Sequence, residues 1–540
     1  MSLSDRSCSR RDFIRLVGSA GVITAVPGLA AASALGGDTV TISILHTTDL
    51  HGHILPTLNY DGTPDVGGLA RCVTQIRKWR KQNPNSILID VGDVYQGTDV
   101  GLRTRGSLMI DLFNHLRFDA WIVGNHEFDW GIDPFVAAVD RSRMPVLAAN
   151  MSMEGREAGQ FHDSRHPFSK VRPYIIKEFA GIRVAIIGIT TPGMRFWFRP
   201  EFIRDLNFLY PVDPVRRAIE QAKHDGANAV VLAGHMGLKD RGGGDDFANT
   251  LVGLTSEFPE LPVFIAGHTH QLIPRRFLNN SIVTQADHFG IHIGKVDLRF
   301  DRDSKRLIGC DASCELMDKR VGLNHTVLSR ARSHLAISEK VMGEPIGELA
   351  ETFRVRSNTN QPSDVEMLIG MAISESLRER GTKVEGVFHG LFDTTHNVAP
   401  GRKTVADVWN ILPYENYVVT GELTPDELCL VMEEMYAAFD PRSLIGFDVR
   451  TTGAGKQRKV ISLVPNNSQI RERREKYVIA FNTFDSRSAG HRFMKLREIL
   501  ERPEARCVFH DVQTRDALID YFRRHKVVKK RWDHSVPAAA

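Results

Sequence analysis

Five short polar segments in this chain each follow an apolar run, and the side chains they carry can bind metal ions. They supply Asp49 and His51, Asp93, Asn125 with His126 and Glu127, His235, and His268 with His270. The runs before them, residues 40–45, 87–91, 120–123, 229–233 and 263–266, are short and rich in β-branched residues. Such runs read as buried strands of an α/β sheet. Open sheets of that kind gather their sites at the carboxyl ends of strands. The pattern therefore predicts Asp, His, Asp, Asn, His, His and His delivered to one sheet edge. Two divalent ions about 3.5–4 Å apart can hold an attacking oxygen and a phosphoryl group together. They need a bridging carboxylate, for which Asp93 is best placed. His51, His235, His268, His270 and the Asn125 carbonyl hold metal without cancelling its charge. The set lacks thiolate, which favours Zn, Mn, Fe or Co. Four or more imidazoles argue against Mg and Ca, which prefer oxygen.

The segments resemble the five motifs of the calcineurin-like metallophosphoesterases, and specifically the bacterial 5′-nucleotidase / 2′,3′-cyclic phosphodiesterase family. They read LHTTDLHGHI (45–54), GDVYQGT (92–98), GNHEFDWG (124–131), GHMG (234–237) and GHTH (267–270), in that order. The resemblance implies that Asp49, His51, Asp93 and His270 hold one metal, and that Asp93, Asn125, His235 and His268 hold a second. It implies attack on phosphorus by a hydroxide held between two divalent ions, with a small phosphate ester as substrate. His126 and Asp129 match the family's catalytic dyad. His126 as imidazolium would stabilise the transition state and protonate the leaving oxygen, and Asp129 would orient it and raise its pKa. Glu127 reads as a supporting carboxylate. His46 and His53 flank the first motif and are candidates to support ligands from behind. Two alternatives fit parts of the pattern. One is a thiosulfohydrolase of bacterial sulfur oxidation, which also resembles this family. The other is a non-catalytic secreted binding protein, against which the intact ligand set argues.

At 540 residues the chain should hold two domains or more. A hydrophobic content of 42% and a net charge of +4 suit an ordinary soluble protein and give no reason to expect nucleic acid. The basic cluster Arg523, Arg524, Lys526, Lys529, Lys530 and Arg531 reads as a solvated final helix. Residues 1–34 form an expected signal peptide. SRRDFIR (9–15) resembles the twin-arginine export signal, and an apolar stretch with A-x-A-like sites follows. The expected location is the periplasm or outside the cell. No run is long enough for a transmembrane span. Cys310 and Cys314 are candidates to pair after export, with a reduced pair as the alternative.

The elements that must position these residues follow from the same patterns. The resemblance implies a four-layer αββα sandwich over residues 38–318. Strand-like runs at 39–45, 86–91, 119–123, 145–149, 182–189, 228–233 and 262–266 alternate with helical stretches. Residues 281–285 and 291–300 are expected to close the domain as antiparallel strands. The aromatic stretch 190–202 is either a rim loop over the site or plain packing. A linker helix is expected over 319–342, and a C-terminal α+β substrate-binding domain over 343–540. The stretch 401–428 matches that domain's T-x-x-D-V…P-(F/Y)-x-N signature. Two pocket motifs depart from the family. Residues 388–397 (FHGLFDTTHN) lack its substrate arginine, and 481–493 (FNTFDSRSAGHRF) lack its Gly-Gly-Asp while keeping Phe484. Phe484 is the candidate to stack on substrate, with Phe439 or Phe447 as its partner. Phe388, Phe392 and Phe484 are expected to pack on an apolar leaving group.

Overall fold

The apolar runs become strands of two facing sheets. A computed structural model describes residues 38–530 apart from 164, 199, 240–244, 357–360, 439–440, 467–473 and 490–491. The expected signal peptide, Phe439 and Arg531 lie outside the described residues. The first sheet runs, edge to edge, Leu307–Leu316, His292–Asp301, Thr39–Thr47, Ser86–Asp90, Ala120–Ile122, Val146–Leu147 and Val171–Arg172. From Thr39–Thr47 onward its strands are parallel; His292–Asp301 pairs antiparallel with Thr39–Thr47. The second sheet runs Leu272–Leu278, Ser281–Ala286, Val263–Ala266, Ala229–His235, Ile182–Thr190 and Tyr174–Phe179.

β-branched residues fill the space between the sheets. Ile42, Ile44, Ile87, Ile89 and Ile122 of the first meet Val184, Ile186, Val231 and Ile265 of the second. Helices Leu69–Gln82, Ser107–Leu116 and Ile132–Arg141 cover the outer face of the first sheet through Cys72, Ile76, Phe113 and Phe135. Val212–His224 and Leu251–Glu257 cover the second through Val215, Ile219 and Leu254. Helix, sheet, sheet and helix thus stack as four layers. The five ligand-bearing strands do not share one sheet, as the apolar runs alone suggested, but face each other from two.

Ser281–Ala286 pairs antiparallel, as expected, only with Leu272–Leu278. Ser281–Ala286 is parallel to Val263–Ala266, because the hairpin strand Leu272–Leu278 intervenes and reverses the chain. Asn279 takes a left-handed φ of 50° in its turn, a conformation asparagine tolerates better than most residues.

Helix His325–Met342 follows, capped by Asn324, whose side chain accepts from Thr326 N and Val327 N. Beyond it lies a mixed sheet ordered Ser443–Ile445, Gly386–His389, Tyr477–Asn482, Tyr417–Leu423, Val508–Gln513. Helices Asp364–Glu379, Pro425–Ala438 and Thr514–His525 pack on it. In the last of these, Arg523 pairs with Glu344 and Arg524 with Glu375 and Glu379. Cys310 and Cys314 share strand Leu307–Leu316, opposite Leu298 and Gly294. Four residues of extended chain separate their Cα atoms by about 13 Å, beyond disulfide reach, and both are free.

Candidate metal centre

The seven ligand candidates converge from both sheets. Asp49 and His51 follow strand Thr39–Thr47, Asp93 follows Ser86–Asp90, and Asn125 follows Ala120–Ile122. His235 ends Ala229–His235, and His268 and His270 follow Val263–Ala266. Two groups have donor atoms close enough to hold one ion each: Asp49, His51 and His270, and Asp93, His235 and His268. Each group draws on both sheets. Asn125 Oδ1 completes the second, 3.1 Å from His235 Nε2 and 2.8 Å from His268 Nδ1. Asp93 Oδ2 lies between the groups, 3.1 Å from His235 Nε2 and 3.7 Å from His51 Nε2.

The backbone at these positions is unusual. Asp49, His51, Asp93, His268 and His270 all have left-handed φ, between 48° and 72°. Each such residue costs on the order of 1 kcal/mol. Strand ends that turn this sharply throw successive side chains to one point. The turns also need room. A Cβ built on Gly92 would lie 2.6 Å from His235 Nδ1, and one on Gly124 would lie 2.3 Å from Asp93 Oδ1.

The donor set fits divalent cations. His51 Nδ1 donates to the Gln96 carbonyl at 2.9 Å, and His235 Nδ1 to the Val91 carbonyl at 2.6 Å. A carbonyl only accepts, so both rings carry a proton on Nδ1 and turn Nε2 into the cluster; burial opposes a charge on His235, but Asp93 outweighs it and lifts its pKa to about 9, so this ring must shed a proton to hold a metal. His51 Nε2 faces His270 Nε2 at 3.0 Å, an approach suited to two lone pairs sharing a cation. Burial holds the pKa of His51 down to about 3 and that of His268 to about 4, so both stay neutral, as ligands must.

His126 and Asp129 stand beside the ligands on the turn 124–131, with Nδ1 to Oδ2 at 2.8 Å. Burial opposes a charge on His126, but Asp129 and Asp93 outweigh it and lift its pKa to about 10. Glu127 is fully buried and accepts the N–H groups of Asp93, Val94 and Gly124. It braces the second and third motifs against each other. Among the described residues His46 packs on Gly294 with neither ring nitrogen partnered, whereas His53 hydrogen-bonds to the Leu50 carbonyl at 3.1 Å, within the first motif, and stacks on Phe289 at 3.9 Å. Trp197, from the aromatic stretch 190–202, stacks on His268 at 5.3 Å, which makes that stretch a rim of the site.

Residues that sequence reasoning did not single out complete the cleft, some of them from the second domain. The Tyr60 hydroxyl lies 3.1 Å from His270 Nδ1 and 2.9 Å from the Tyr414 hydroxyl. His288 stacks on His270 and Tyr60, and Asp287 joins it to His292. Trp130 Nε1 donates to Glu415 Oε2 at 2.5 Å. Tyr414 and Glu415 sit inside the P-(F/Y)-x-N signature, which was the available signal; Tyr60 had none. Phe484 is 38% exposed, and its N–H donates to Asn416 Oδ1 at 3.2 Å. Phe388 and Phe447 are not available to a ligand. Each is 1% exposed, Phe388 against Phe481 and Phe493 and Phe447 against Tyr477. The strands that carry them run through the domain's own core, which claims their rings. Phe392 does face the cleft, 5.3 Å from both Tyr60 and Tyr414.

Residues 42–272 match the calcineurin-like phosphoesterase family model. The "Probable 5′-nucleotidase" of Treponema pallidum is 23% identical over 588 aligned positions, covering 92% of this chain and 94% of that protein. The 2′,3′-cyclic-nucleotide 2′-phosphodiesterase/3′-nucleotidase of Haemophilus influenzae is 26% identical, over 50% of this chain and 42% of its own length. The alignments with the first curated relatives span about a fifth to two fifths of those proteins' own length. The crystal structure of a 5′-nucleotidase precursor from Thermus thermophilus superposes with a TM-score of 0.67 at 22% identity, over 92% of this chain and 98% of that one. Calcineurin-like phosphoesterases use a dinuclear divalent metal centre, and two donor groups of that kind stand at the strand ends here. Residues 42–272 are a calcineurin-like phosphoesterase domain, in a chain that shares the fold of 5′-nucleotidase structures.

Proposed function

We propose that this protein is a metal-dependent hydrolase of a small phosphate ester. The observation that carries the reading is the pair of mixed carboxylate–imidazole groups flanking Asp93, with the His126–Asp129 pair beside them. Asp49, His51, Asp93 and His270 would hold one divalent cation, and Asp93, Asn125, His235 and His268 the other, as Zn, Mn, Fe or Co. Such cations supply Lewis-acid charge beside the phosphate and make a nearby water more acidic. The protein's own groups do the rest. Asp129 holds His126 Nδ1 and so fixes the ring and its proton. The opposite nitrogen is then free to protonate the leaving oxygen. Asp93 Oδ1 accepts the His126 N–H at 2.8 Å, which ties the dyad to the bridging carboxylate.

Residues 38–318 would do the chemistry, 319–342 join, and 343–540 choose the substrate. The family's loop arginine is absent from residues 388–397, so one cation for a nucleotide's anionic groups is missing. Arg354 is paired with Asp364, and Arg356 donates to the Thr394 carbonyl. A charge-assisted contact is worth roughly 1.5–3 kcal/mol. Nucleoside monophosphates should therefore be weaker substrates than an ester whose apolar leaving group rests on Phe392, Tyr414 or Phe484. The test is turnover by metal-loaded protein of nucleotides, cyclic nucleotides, sugar phosphates and aryl phosphates. Adenosine monophosphate turned over near 10⁶ M⁻¹s⁻¹ and better than every other ester would end the specificity reading. No turnover of any ester would end the whole proposal.

Export by the twin-arginine route to the periplasm fits residues 9–15 and a site that loads metal before leaving the cytoplasm. No helix among the described residues is long and apolar enough to cross a membrane. Replacing Arg10 and Arg11 by Lys should leave the precursor in the cytoplasm. Normal delivery of that variant, followed by fractionation and immunoblot, would exclude this route.

A further inference from the structure

Trp130 directly follows Asp129, and its indole N–H points out of the first domain to Glu415. The turn that bears the dyad is therefore held at two places. Inside its own domain, Glu127 takes three backbone N–H groups, and the Glu127 carbonyl accepts the Tyr95 hydroxyl at 3.0 Å. Tyr95 stacks on Trp130 at 5.5 Å, and Arg105 lies 5.3 Å from the indole ring. The second hold comes from the other domain, at Trp130 Nε1.

Glu415 is aimed by a buried frame. Arg515 Nε donates to the Leu412 carbonyl at 2.9 Å, and another guanidinium nitrogen to the Pro413 carbonyl at 2.6 Å. The guanidinium lies 3.5 Å from the Trp409 ring and 3.9 Å from Glu415 Oε1. Both charged side chains are 1% exposed. A buried ion pair is a poor device for stability, because desolvation offsets its attraction unless the geometry is good. Here the geometry is long, and Glu415 Oε1 has no hydrogen-bond partner among the described residues. The short bond that Glu415 does make is the one to Trp130. The adjacent Tyr414 meets Tyr60 behind His270, so the same segment touches the metal side of the site as well.

We propose that Glu415 is a positioning residue for hydrolysis: through Trp130 it fixes the turn carrying His126 and Asp129, so the dyad takes its working geometry when the second domain is docked. The proposal rests on the phosphoesterase reading. It predicts a pattern across four variants of the full, metal-loaded chain: E415A, E415Q, W130F and the double variant W130F/E415A. With bis(4-nitrophenyl) phosphate as substrate, E415A and W130F should each lower kcat about 10- to 100-fold. KM should stay within about threefold, and both ions should be retained. E415Q keeps an oxygen that can accept from the indole, and should recover kcat to within about threefold. The double variant should be no worse than either single one, because both remove one interaction.

Wild-type kcat in E415A, an E415Q as poor as E415A, or losses that multiply in the double variant would overturn the proposal. If E415A does not fold, the comparison of E415Q with W130F decides. If the wild-type chain hydrolyses no ester, the phosphoesterase reading fails separately. Amide hydrogen exchange over residues 124–131 then settles the positioning claim. Faster exchange in E415A than in E415Q upholds it, and equal exchange overturns it.

Discussion

His46 is 1% exposed, and neither of its ring nitrogens has a hydrogen-bond partner among the described residues. Burial drives its pKa from 6.5 to about 3. Between those values the unfolded chain binds a proton that the folded chain refuses. The stability is thus intact above pH 6.5 and falls as the pH drops, by about 1.4 kcal/mol per unit from this group. His46→Leu should flatten that slope. Urea midpoints at pH 7 and pH 4.5 check it, and an unchanged difference between the two would sink the assignment. Asp93 and His126 separate binding from turnover. Asp93→Ala should lose both ions, whereas His126→Ala should keep them and lose roughly 10²–10⁴ in kcat. Metal analysis finding two ions in the Asp93 variant would refute the bridge. The convergence of these donor side chains was readable because each is a polar type placed at the end of an apolar run. Tyr60 was not readable. It sits in a loop without periodicity, and its partner Tyr414 lies in the other domain.

The turn 124–131 carries Asn125, His126 and Asp129. It closes because Gly124 lets the chain pass against Asp93 and Glu127; a Cβ there would meet Asp93 N at 2.3 Å and Glu127 Oε2 at 2.6 Å. Gly124→Ala should therefore displace the bridging carboxylate while the sheets stay folded. Metal stoichiometry should fall with little change in far-ultraviolet circular dichroism; a fully loaded variant would contradict the packing argument. The strands feeding such turns were legible in sequence where they are buried on both faces, as in Ala229–His235 and Val263–Ala266. Leu272–Leu278 was missed because it is an edge strand with Arg275, Arg276 and Phe277 exposed, so its pattern is not that of a buried run. That omission also hid the antiparallel partner of Ser281–Ala286, whose other neighbour, Val263–Ala266, is parallel to it. In the second domain the helices and signature were legible, but which aromatics face the cleft was not. Phe388 and Phe392 differ by four residues, yet one is core and the other lines the site. Strand-end geometry decides that, and composition does not encode it.

At the scale of the whole molecule, each donor group takes side chains from both sheets of the sandwich. Bound ions would join the sheets at one edge, and a ligand present at 100 times its dissociation constant adds about 2.7 kcal/mol. Chelation should lower the melting temperature by several degrees, and Asp93→Ala should show no such drop; equal melting with and without chelator in the wild-type chain would argue against cations at the sheet junction. The two-sheet origin also orders events in time. Asp49 and His51 leave the ribosome long before His268 and His270, and at 5–20 residues per second the gap is roughly 10–45 s. Throughout that interval neither donor group is complete. Strand Thr39–Thr47 also lacks its antiparallel neighbour His292–Asp301 until later still. Any metal held by these groups would therefore be selected late, by a nearly finished sandwich, and the ions surrounding the chain when the last strand closes would decide which.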